Sequence, residues 1–249
     1  MKEAWFIVDP ALDPVDLPDV QGWRKVTLPH QWTLDPEVEP GIEASWYSLE
    51  FPQVEGRRWG EVRADYSAEA WLWSDSRPTG IFLGHHEGYF EPWLLEVPPG
   101  ETLLLRVAAP KEEVGVVWPD FKRQIKGVLG QHDCRPGGGT PRGQEMGTGG
   151  LWGGVRYFRT GPDALLHLTW RAIPIATGWK LWIEVEVDSA EVPLRRREHP
   201  EPLSLTLAPC NFQGDTYFSQ RSLNLAFGRH TYDLVWDLPD LPRWEAWDH

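Results

Sequence analysis

Apolar and polar residues alternate along this chain in short runs, and each run stops near glycine or proline. Leu103-Leu104-Leu105-Arg106-Val107, Leu181-Trp182-Ile183-Glu184-Val185-Glu186-Val187, Leu203-Ser204-Leu205-Thr206-Leu207 and Tyr232-Asp233-Leu234-Val235-Trp236 carry this pattern. Successive side chains of an extended strand point to opposite faces, so a period of two marks a half-buried β-strand. Turn clusters separate the runs: Pro98-Pro99-Gly100, Arg135-Pro136-Gly137-Gly138-Gly139, Gly161-Pro162-Asp163 and Phe227-Gly228-Arg229. No long stretch keeps a helical period free of Gly or Pro. The expected class is all-β, built as sandwiches because two sheets must bury their apolar faces against each other.

A chain of 249 residues exceeds the roughly 100 to 150 residues usual for one domain. A break is expected at Gly161-Pro162, dividing residues 1–161 from residues 162–249. The later part holds about seven candidate strand runs, which suits an immunoglobulin-like sandwich. Apolar residues make up 41% of the chain and sixteen are Trp, enough for a buried core. A net charge of −13 repels a phosphate backbone, and the only basic run is Arg195-Arg196-Arg197, so nucleic acid is not an expected partner. The N-terminus lacks the pattern of a signal peptide, and no run of about 18 apolar residues suggests a membrane span. A soluble, cytoplasmic protein is expected. Cys134 and Cys210 lack a CxxC or Cys/His spacing and read as reduced thiols. His85, His86 and Glu87 stand together, but neighbours on a strand point to opposite faces, so no metal or cofactor is expected.

Several motifs, in one order, resemble glycoside hydrolase family two, which contains β-galactosidases, β-glucuronidases and β-mannosidases. Leu28-Pro29-His30-Gln31-Trp32 precedes the aromatic run Ala44-Ser45-Trp46-Tyr47-Ser48-Leu49-Glu50-Phe51. Glu69-Ala70-Trp71-Leu72-Trp73 is followed by Leu83-Gly84-His85-His86-Glu87-Gly88-Tyr89-Phe90-Glu91-Pro92-Trp93 and then by Gly100-Glu101-Thr102-Leu103. Where the family carries an Asn-Gly turn, this chain has Ser74-Asp75-Ser76-Arg77-Pro78. Lys126-Gly127, His132-Asp133 and Gly149-Gly150-Leu151-Trp152-Gly153-Gly154-Val155 resemble the end of the family's first domain, with Gly153 in place of the usual Arg. The tail Leu241–His249 looks like the family's crossover toward its catalytic barrel. The resemblance implies a jelly-roll, galactose-binding-like sandwich over 1–161, an immunoglobulin-like sandwich over 162–249, and no catalytic barrel.

Glycoside hydrolysis needs two positioned carboxyl groups. In the family both glutamates belong to the barrel, the acid/base following an Asn. The two asparagines here, Asn211 and Asn224, precede Phe212 and Leu225. No catalytic residue is therefore expected, and the missing barrel becomes an implied partner, whether in the same polypeptide or in another chain. The resemblance also implies that Glu145, just before the Gly-rich strand, touches sugar hydroxyls through charge-assisted hydrogen bonds. The alternative is a solvated loop carboxylate. His132 and Asp133 offer a donor and an acceptor to a sugar, or order their own loop. Trp118 and Trp152, near the Gly-rich stretches, can stack on a pyranose or belong to the core. Carbohydrate is thus the expected ligand, and a homo-oligomer is open. Two rival readings remain: a self-sufficient lectin-like module, and a structural interaction domain that docks through an aromatic face.

Overall fold

The computed structural model describes residues 1–9, 22–88, 90–111, 149–190, 201–210 and 214–238. It is all-β: among these residues there are fourteen strands, one 3-10 turn at Trp32–Leu34 and no α-helix. The chain divides into two compact units, Met1–Arg159 and Thr160–His249.

In the first unit the strands are β1 (Glu3–Val8), β2 (Arg24–Thr27), β3 (Ala44–Leu49), β4 (Arg57–Val62), β5 (Ser67–Ser74), β6 (Arg77–Glu87), β7 (Trp93–Glu96), β8 (Thr102–Ala108) and β9 (Val155–Thr160). They form a six-stranded sheet in the order β2-β1-β3-β8-β5-β6 and a three-stranded sheet β7-β4-β9. β8 is buried on both faces rather than half-buried as its alternation suggests, since Leu104 and Arg106 are covered too, and its Leu103, Leu105 and Val107 enter the core. There they meet Phe6, Tyr47, Leu49 and Leu72 from their own sheet, and Val62, Leu95 and Val155 from the other. One continuous core between two sheets makes this unit a sandwich.

The turn between β5 and β6 forms without Asn-Gly. Ser74 pairs with Arg77 in an antiparallel register, leaving Asp75 and Ser76 as a two-residue turn. Asp and Ser suit turns because their short side chains hydrogen-bond locally, and here Ser74 Oγ lies 3.2 Å from Ser76 Oγ. Pro78 is accommodated because β6 is an edge strand among the described residues, where a missing N–H need cost no ladder bond.

The second unit contains β10 (Asp163–Ile175), β11 (Gly178–Ser189), β12 (Glu201–Leu207), β13 (Tyr217–Leu223) and β14 (Gly228–Leu238). They form a three-stranded sheet β10-β11-β14 and a two-stranded sheet β12-β13. On β11 Leu181, Ile183, Val185 and Val187 are buried while Trp182, Glu184 and Glu186 are half-buried on the opposite face, the parity expected from the sequence. Cys210 is an exposed thiol. No helix among the described residues is long and apolar enough to cross a membrane.

Candidate functional site

Two segments distant in sequence meet in the first unit. The backbone N–H groups of His30 and Trp32 donate to the carbonyls of Leu151 and Gly149, each at 3.1 Å. From the other side Asp65 N–H donates to Gly150 O at 2.9 Å, and Gly150 N–H returns to Asp65 O at 3.1 Å. Residues 149–151 are therefore a seam threaded between 30–32 and Asp65.

The glycines make this threading possible. A Cβ on Gly149 would stand 1.8 Å from Cζ2 of the buried Trp32, and one on Gly150 would stand 2.5 Å from the His30 carbonyl oxygen. Gly150 also has φ +126°, a region that favours glycine. Farther along, a Cβ on Gly153 would lie 2.6 Å from Cβ of Arg63, so this glycine too is tight against its neighbour.

Behind the seam lies a buried polar network. His30 Nδ1 is 2.7 Å from Tyr47 Oη, and His30 Nε2 is 2.9 Å from Asp35 Oδ2. The same carboxylate oxygen accepts a hydrogen bond from Arg24 Nη2, while Asp35 Oδ1 accepts the Glu37 backbone N–H at 3.0 Å. Burial opposes ionisation of Asp35, but the bonds from Arg24, His30 and Glu37 outweigh it and hold its pKa at about 2. Burial also lowers the His30 pKa, against the pull of Asp35. A neutral imidazole then has one consistent tautomer: Nε2–H donates to Asp35, and Nδ1 accepts from the Tyr47 hydroxyl. Burial pushes the Tyr47 hydroxyl pKa up, so it stays a donor. Phe6 closes the network, with its ring centroid 4.7 Å from that of His30 and the Arg24 guanidinium 5.0 Å from its own.

Of the residues singled out in the sequence, Trp152 is half-buried on the seam, between buried Leu151 and exposed Gly153. Glu145, His132, Asp133 and Trp118 lie outside the described residues. Two motifs read separately, Leu28–Trp32 and Gly149–Val155, prove to be partners in one structure. Arg24, Asp35 and Tyr47 escaped sequence reasoning. The available signal was His30, a histidine inside an otherwise apolar motif with a carboxylate five positions on.

On β6, His85 and Glu87 share a face, with Nε2 to Oε1 at 3.6 Å. His86 turns the other way, stacked on Trp93 and bonded through Nε2–H to the Glu91 carbonyl at 3.0 Å. Among the described residues no group of three or more His, Cys, Asp or Glu is placed to hold a metal ion.

No protein-family model matches the chain, and no curated protein does. Solved structures do share its fold. A β-glucuronidase from Parabacteroides merdae aligns at 12% identity and a TM-score of 0.55, over 96% of this chain and 31% of its own. A glycoside hydrolase family two β-galacturonidase from Eisenbergiella tayi, bound to galacturonate, aligns at 13% identity and a TM-score of 0.54, over 99% of this chain and 37% of its own. A β-D-mannosidase from Dictyoglomus thermophilum aligns at 16% identity and a TM-score of 0.54, over 94% of this chain and 30% of its own. At such identities the likeness is one of fold. The chain spans about a third of the length of these proteins.

Proposed function

We propose that this chain is the non-catalytic N-terminal region of a family-two β-glycosidase, a jelly-roll sandwich followed by an immunoglobulin-like one, which helps to shape a carbohydrate site completed by a catalytic barrel. The observation that carries this reading is the seam. Two of the motifs that resemble the family, Leu28–Trp32 and Gly149–Val155, are held to each other by backbone hydrogen bonds and by glycines that admit no side chain. Such a seam holds Gly149–Leu151 in place in the first unit. The sequence before it carries Glu145, His132, Asp133 and Trp118, the proposed sugar contacts, and Trp152 follows it directly. The fold likeness across nearly the whole of this chain, but about a third of each neighbour, supports the same reading.

The chemistry divides accordingly. The barrel supplies the acid/base and the nucleophile, and this chain supplies hydrogen-bonding and stacking groups that orient the sugar. The chain alone is expected to show no turnover of nitrophenyl β-galactoside, β-glucuronide or β-mannoside. Joined to the barrel, it is expected to lose about one to two orders of magnitude in kcat/KM on Glu145→Ala, since a charge-assisted hydrogen bond contributes about 1.5 to 3 kcal/mol. Turnover by the isolated chain that survives purification and disappears on Glu145→Gln would overturn the division. Sugar affinity of the isolated chain in the micromolar range would favour a lectin-like module instead.

A further inference from the structure

We draw no further inference here: the strongest candidate, the exposed apolar row of Leu165, Leu168 and Trp170 on β10 in the second unit, lies opposite the buried Val187, Val185 and Ile183 of β11, and nothing in the structure shows what covers it.

Discussion

The two units are built on the same principle and finished to different degrees. In the first, residues from six-stranded and three-stranded sheets fill one core, and the carboxylate of Asp35 beside it is matched, accepting from Arg24, His30 and the Glu37 backbone. In the second, the same alternation produces a buried row on β11 and an exposed row of equal parity on β10. Alternation of side chains therefore settles which face of a strand is apolar. It does not settle whether anything covers that face. Coverage depends on how many strands the opposing sheet contributes, and among the described residues two strands stand against three.

This contrast can be broken or sharpened by substitution. The largest effect is expected at the seam. Gly149→Ala forces a methyl group into Trp32, a side chain that packs in the core and has nowhere to retreat. Chemical denaturation should show unit one losing about 3 kcal/mol or more, or failing to fold. Gly161→Ala, whose added methyl meets nothing within 4 Å, is the control and should stay within about 0.5 kcal/mol. Equal losses at the two sites would show that the seam is not tightly packed.

A smaller but pH-dependent effect is expected from the network. Asp35 has its pKa lowered from 3.8 to about 2 in the fold. A depressed carboxyl stabilises the fold above its unfolded pKa, and that contribution, about 2 kcal/mol, is lost as pH falls from near 4 toward 2. His30 acts in the same direction at higher pH. Its folded pKa lies below 6.5, so the fold prefers the neutral ring, and stability falls as pH drops below the unfolded value. Asp35→Asn should flatten the acid limb of a stability-versus-pH curve while removing about 2 kcal/mol near neutrality. An unchanged acid limb would place the linkage elsewhere.

The smallest pair of effects compares the units' interiors directly. Val185→Ala, at a fully buried site, should cost about 1 to 2 kcal/mol. Leu168→Ala, its cross-strand partner, should cost about 0.5 kcal/mol or less despite removing more apolar volume. If thermal melts give the two substitutions similar losses, the β10 face is covered in the isolated chain.

Much of the strand content was legible in the sequence. The runs at 103–107, 181–187, 203–207 and 232–236 all fall within strands, and the inward parity of Leu181, Ile183 and Val185 follows from period two alone. The eleven-residue strand β6 was harder to read, because its edge position exposes Ile81, Phe82 and Leu83 in succession and erases the alternation. The β5–β6 turn was legible only as a departure from Asn-Gly, though Asp75-Ser76 has turn chemistry of its own.

What the sequence determined by itself is local: period-two patterning fixed the class, the strand faces and the turn sites, because each depends on residues within a few positions of one another. Only the tertiary structure decided which distant pieces meet. His30 and Tyr47 are separated by 17 positions, and Trp32 and Gly149 by far more, yet the first pair forms one hydrogen bond and the second one steric contact. Such contacts depend on sheet order and on the path of the chain between strands. The open row on β10 has the same origin, since burial is a property of what lies opposite a residue, and no run of sequence specifies its own cover.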